Sequence, residues 1–245
     1  MRFYLGTHEP AWLGNTDVPL FVSVNRLTRY KGKAATPWVL DSGGFTELST
    51  HGYWRTDARH YAERVARAEE RNQLQWAAPQ DWMCEPFILA KTGLSVAEHQ
   101  ARTVGNYVDL MALGAPVVPV LQGFTMDEYL HCIDLYGKAG VDLSTAPIVG
   151  VGSVCRRQDT DEIGDILKAI IDAGVPRLHG FGCKGGAIRR YGHLMTSADS
   201  LAWSIGGRNR GTCTHLRSRC ANHKHWALDW YASVVNEIQR NQTKE

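Results

Sequence analysis

Trp38-Val-Leu-Asp-Ser-Gly-Gly-Phe-Thr-Glu47 carries three apolar residues into a carboxylate, Asp41, and then into two glycines and an aromatic ring. A buried strand ending this way delivers Asp41 from a rigid support. Gly43 and Gly44, lacking Cβ, let a flat ligand lie against bare backbone. The same residues also suit an ordinary turn in which Asp41 caps its own loop. The neighbouring strand ends must therefore be read with it.

The chain has 245 residues, 44% hydrophobic and 21% charged. That is enough to bury a full core and lies within the range of one α/β barrel. We expect a single domain over 1–245, with a zinc-binding segment at about 207–226. Met1 to Gly6 lacks the apolar run of a signal peptide, and no stretch approaches the roughly 20 apolar residues of a membrane helix. A soluble cytoplasmic protein without a membrane partner is expected. Cys84, Cys132, Cys155 and Cys183 are scattered singly, which suits reduced thiols. The net charge of +2 neither demands nor excludes nucleic acid, but basic residues gather late, at Arg189, Arg190, Arg208, Arg210, Arg217, Arg219 and Lys224.

Apolar runs alternate with helical stretches, as in parallel strands joined by crossover helices. Strands are expected at Arg2–Gly6, Leu20–Val24, Trp38–Asp41, Leu74–Gln80, Val117–Leu121, Ile148–Val151, Arg177–Gly182 and Ser197–Trp203. Helices are expected at Asp57–Arg71, Val96–Leu113, Met126–Ala139, Asp161–Ala173 and Lys224–Arg240. Ser95-Val-Ala-Glu98 and Thr125-Met-Asp-Glu128 read as capping boxes, and Gly114, Gly140 and Gly174 as left-handed helix stops. Eight strands fit a (β/α)8 barrel of the TIM type. The connections His8–Pro19 and Asn25–Pro37 are too rich in turn formers for ordinary helices, so the barrel should be irregular at its N-terminus.

In such barrels the site lies at the C-terminal ends of the strands. Those ends read Asp41-Ser42-Gly43-Gly44-Phe45, Ala78-Pro-Gln-Asp81-Trp82, Leu121-Gln122-Gly123-Phe124, Val151-Gly152-Ser153, His179-Gly-Phe-Gly182 and Ala198-Asp199-Ser200, which together suit a planar, hydrogen-bonding ring. Asp81 lies beside aromatic surface and can accept two N–H donors of a guanine-like edge, or else caps a turn. Gln122 both donates and accepts, and Gly123 exposes backbone. Asp199 is flanked by small residues that leave room for attack on a sugar C1′, although Ser-Ala-Asp-Ser is also good capping sequence. Two carboxylates across a pocket permit a double displacement.

Cys213-Thr-His215 and Cys220-Ala-Asn-His223-Lys-His225 place soft and imidazole donors within a short span. Cys213, His215, Cys220 and His223 suit tetrahedral, structural Zn2+, with His225 an alternative to His223. Coincidental clustering in a basic tail is the plain alternative.

Asp41-Ser-Gly-Gly-Phe45 resembles the signature of the tRNA-guanine transglycosylase superfamily, and the later strand ends resemble its motifs in order across nearly the whole chain. The resemblance implies a (β/α)8 barrel with zinc near the C-terminus, Asp41 as general acid/base, Asp81 as base-recognition residue and Asp199 as nucleophile. Gln122-Gly123 and Val151-Gly152 are similar to its pocket elements, and Gly206-Gly207-Arg208 to its loop after the nucleophile. Two features depart from the tRNA enzymes: the metal set is a compact pair of Cys and pair of His, and the chain is short. Both resemble the DNA-directed branch of phages and bacterial modification clusters.

What this implies is replacement of guanine in DNA by a free 7-deazaguanine such as 7-cyano-7-deazaguanine, the target nucleotide being flipped into the pocket. A homodimer, or a partner protein that selects the target, is compatible with it. The rivals are the same exchange on tRNA, a catalytically silent zinc-containing nucleic-acid-binding protein, and a small-metabolite lyase using Lys184.

Overall fold

The computed structural model describes residues 1–154, 160–209 and 220–242. Its strands are β1 (Arg2–Thr7), β2 (Leu20–Ser23), β3 (Trp38–Asp41), β4 (Leu74–Ala77), β5 (Val120–Leu121), β6 (Val149–Val151), β7 (Leu178–Gly180) and β8 (Ser197–Ser200). All pairings are parallel, in the order β4-β3-β2-β1-β8-β7-β6-β5. A parallel bridge between Ala77 and Val117 brings β4 to the segment before β5, so the sheet's two edges meet. This is the expected TIM-like α/β barrel.

Alternation along the strands sorts the core into two layers. Tyr4, Phe21, Val39 and Trp76 point into the barrel with Val118 and Ile148. Phe3, Leu5, Leu20, Val22, Trp38 and Leu40 point out beneath the helices. The same period of two turns Ser23, Asp41, His179, Ser197 and Asp199 inward. At the C-terminal mouth the apolar filling therefore gives way to polar side chains.

The helices among the described residues are α1 (Gly44–His51), α2 (Ala58–Glu69), α3 (Pro86–Thr92), α4 (Val96–Ala112), α5 (Met126–Lys138), α6 (Asp161–Asp172), α7 (Gly185–Tyr191), α8 (Ala202–Asn209) and α9 (Lys224–Gln242). Both capping boxes form: the Ser95 and Thr125 hydroxyls accept from the backbone of Glu98 and Glu128, whose carboxylates accept in return. Gly114, Gly140 and Gly174 are left-handed, as expected. The first two connections contain only the 3-10 turns Pro10–Gly14 and Val24–Arg26, which is the expected N-terminal irregularity.

The last strand is shorter than expected. Ser200 Oγ accepts from Ala202 N–H at 3.2 Å and turns the chain. Trp203 therefore belongs to α8, where its Nε1–H donates to Gly6 O at 2.8 Å and its ring stacks on Trp12. Cys84, Cys132, Cys183 and Cys220 form no disulfide among the described residues; Cys155 lies outside them. Among the described residues no helix is long and apolar enough to cross a membrane.

Candidate active site

A cavity of about 630 Å³ opens at the C-terminal ends of the strands. Asp41 to Phe45 reach it from β3, Asp81, Met83 and Glu85 from the loop after β4, Gln122 from β5, Gly152 and Ser153 from β6, Phe181 and Gly182 from β7, and Asp199 from β8. Gly123 does not line it: an added Cβ there would meet Tyr129 N of α5 at 3.0 Å. A larger open hollow of about 790 Å³ lies along Trp82 and Arg102 but holds none of the strand-end carboxylates.

Asp199 is almost fully buried. Its Oδ1 accepts from Gly182 N–H at 2.9 Å and lies 3.3 Å from His179 Nε2, while His179 Nδ1 lies 2.8 Å from Ser197 Oγ. His179 is enclosed by Phe21, stacked at 5.7 Å, and by the edges of Trp76 and Phe181. Rings on several sides leave the imidazole little freedom to move, so Oδ1 is committed to two neighbours. The contacts to His179 and Gly182 both fall on Oδ1, and Asp199 lines the cavity.

Asp41 faces the same cavity. Burial, and then the charge of Asp199, push its pKa up to about 6, against hydrogen bonds from Ser23 and Gly43. Asp81 is pushed further, to about 7, by burial and then by the charge of Asp41. Gln122 Nε2–H donates to Asp81 Oδ2 at 2.5 Å, and Ser42 Oγ lies 3.5 Å from Oδ1. Gln122 is itself held: Ser153 Oγ lies 2.7 Å from its Oε1, and Gln100 donates to its backbone carbonyl at 2.7 Å. Ser153, with φ of +57°, also accepts from Cys84 N–H and reaches Glu85 Oε2 at 3.0 Å. A non-glycine residue in that conformation is maintained by such surrounding contacts.

Phe45, at the first turn of α1, is half exposed at the rim, with its ring 6.1 Å from that of Phe87. The structure thus gathers Asp41, Ser42, Gly43, Gly44, Phe45, Asp81, Gln122, Gly152, Gly182 and Asp199 around one cavity. Sequence reasoning assigned no role to His179, Ser153, Glu85, His8 or Arg26. The period-two parity of β7 was the available signal for His179. Glu85 and Ser153 lie in loops with no periodicity to mark them.

Cys220 Sγ and ring nitrogens of His223 and His225 lie within 4.8 Å of one another, so this group could hold a metal ion. One thiolate and two imidazoles are a donor set suited to zinc. The cluster includes His225 as well as the expected Cys220 and His223. Cys213 and His215 lie outside the described residues.

Compared with known protein families, residues 1–245 match the family model DpdA, described as DeoxyPurine in DNA protein A. A search of curated proteins finds no match.

Proposed function

The chain belongs to the DpdA family, DeoxyPurine in DNA protein A, and from that premise we propose that it exchanges guanine in DNA for a 7-deazaguanine through a covalent glycosyl-aspartate. The observation that carries this reading is the convergence of Asp41, Asp81 and Asp199, from three different strand ends, on one cavity.

The target nucleotide is flipped out of the stack, because C1′ and N9 are inaccessible within a duplex. Asp199 Oδ2 attacks C1′, the C1′–N9 bond breaks, and its electron pair leaves with guanine. Asp41, with its pKa near 6, has an acid form accessible near neutral pH and supplies the proton to the departing base. The incoming 7-deazaguanine, such as 7-cyano-7-deazaguanine, returns a proton from N9–H to the Asp41 carboxylate as N9 attacks C1′. Asp199 leaves, and two inversions give net retention.

Asp81 and Gln122 read the base edge: the carboxylate accepts its N–H donors and the amide complements a carbonyl. Phe45 offers a ring face at the rim. Zinc would be held by Cys220, His223 and His225, with Cys213 or His215 the candidate for a fourth ligand. Zinc there would have a structural role.

The test is to incubate the protein with radiolabelled guanine and either duplex DNA or bulk tRNA. Label should enter DNA and be absent with Asp199→Ala, and a denaturation-resistant DNA adduct should form only with the parent protein. Label entering tRNA alone, or undiminished exchange by the variant, would overturn the reading.

A further inference from the structure

The cavity is acidic within and basic at its mouth. Asp41, Asp81, Glu85 and Asp199 face the interior, whereas His8, in the loop after β1, and Arg26, in the turn after β2, line the rim. Arg208 lies in the last turn of α8, the helix that follows β8. Arg26 and Arg208 both act on the His8 imidazole: after burial, their charges hold its pKa down, against the opposing charge of Glu9. The sheet order β2-β1-β8 explains the meeting, since the segments that follow three adjacent strands must lie side by side.

Arg26 and Arg208 are both exposed, and among the described residues neither pairs with a carboxylate. Elsewhere Arg55 is held by Glu47 at 2.8 Å and Arg190 by Asp161. Exposed guanidinium groups without a carboxylate partner attract anions. Guanidinium forks are also suited to phosphate oxygens.

We propose that His8, Arg26 and Arg208 form a site for a DNA backbone phosphate, that of the nucleotide whose base enters the cavity. The proposal rests on the base-exchange reading above. With the base held at Asp81 and C1′ at Asp199, the sugar-phosphate leaves the cavity past the segments that follow β8, β1 and β2, where the two guanidinium groups and the His8 imidazole stand. The two substrates then use one cavity differently: the free base has no phosphate and engages only the acidic interior, while the polymer engages interior and rim together. A rim that holds the phosphate retains the DNA strand while one base departs and another arrives.

The experiment measures the affinity of a guanine-containing DNA oligonucleotide across a range of salt, with free guanine as a second ligand. The proteins are the parent, Arg26→Gln, Arg208→Gln and Arg26→Lys. Each Gln variant should bind DNA about tenfold more weakly at low salt, whatever sequence flanks the guanine. The slope of log K against log salt should fall by about 0.9 per lost contact on a duplex, or about 0.7 on a single strand. Arg26→Lys should keep most of the slope, and the affinity for free guanine should stay at the parent value. Parent-like slopes and affinities in both Gln variants, while the parent exchanges label into DNA, would overturn the phosphate site and leave the base-exchange reading standing. An equal loss of free-guanine binding would also overturn it, by assigning the arginines to the base. A parent protein that neither binds DNA nor exchanges label would overturn both.

Discussion

At Asp81 two influences oppose one another. Burial and the charge of Asp41 raise its pKa to about 7, whereas the Gln122 amide, donating at 2.5 Å, favours the carboxylate. A base edge that offers N–H donors binds only the ionised form. Affinity for free guanine should therefore be full above about pH 7 and weaken about tenfold per unit below it, as titration calorimetry from pH 5.5 to 8.5 would show. Asp81→Asn should bind weakly with no such slope. Stability runs the other way. An unfolded carboxyl has its ordinary value of 3.8, so between about pH 4 and 7 the folded chain holds the extra proton and loses stability as pH rises through that window. Asp81→Asn cannot ionise, yet its amide oxygen still accepts from Gln122. It should be more stable than the parent at pH 8 by on the order of 2 kcal/mol, a Tm gain of several degrees, with little difference at pH 4. Equal melting temperatures at pH 8 would show that Asp81 is solvated well enough to ionise freely.

At the scale of elements, two strand-end glycines make room for side chains. Gly43, with φ of +79°, is the N-cap of α1, and an added Cβ would meet Asn25 Nδ2 at 2.4 Å. At Gly152 an added Cβ would meet Gln122 Nε2 at 2.2 Å. Gly152→Ala should therefore push Gln122 off Asp81 and weaken free-base binding about tenfold or more, with only a modest fall in Tm. Gly43→Ala should cost stability as well, on the order of 1–3 kcal/mol, because the backbone itself is strained there. Calorimetric affinity beside thermal melting separates the two, and a Gly152→Ala protein with parent affinity would show that Gln122 does not read the base. The need for small residues was legible in Asp41-Ser-Gly-Gly-Phe45 and Val151-Gly152, but the neighbours they accommodate were not, since Asn25 and Gln122 arrive from other strands. Helices α1, α3 and α7 escaped the sequence for a related reason: they have seven or eight residues and no side-chain cap, so too few turns carry the amphipathic period. The helices α4 and α5, with their capping boxes, were plain.

Across the whole molecule, the repeated helix, glycine and strand made the parallel barrel readable, and with it the placing of Asp41 and Asp199 on strands whose C-terminal ends form the cavity. The C-terminal segment was less readable, because its role is to tie distant parts together. Gly207 of α8 packs so closely on the Cys220 turn that an added Cβ would lie 2.7 Å from the Cys220 carbonyl carbon. Trp226 of α9 donates to Trp203 O at 2.9 Å, and Trp203 donates in turn to Gly6 O at the end of β1. Lys224 reaches Asn15 in the first connection, at 3.0 Å to its side-chain oxygen. The cluster of Cys220, His223 and His225 thus sits where α8 and α9 clamp β1 to β8, the strand that carries Asp199. A metal bound there would hold this clamp from outside the cavity. The purified protein should accordingly carry stoichiometric zinc, lost in Cys220→Ser and His225→Ala. Removing it with a chelator should lower Tm by several degrees and reduce exchange, while the guanine edge remains readable by Asp81 and Gln122 once the fold is restored with zinc. If the protein contains no metal, and its melting is the same with and without chelator and added zinc, the three side chains are a packed corner of the clamp and the donor geometry has no ion to serve.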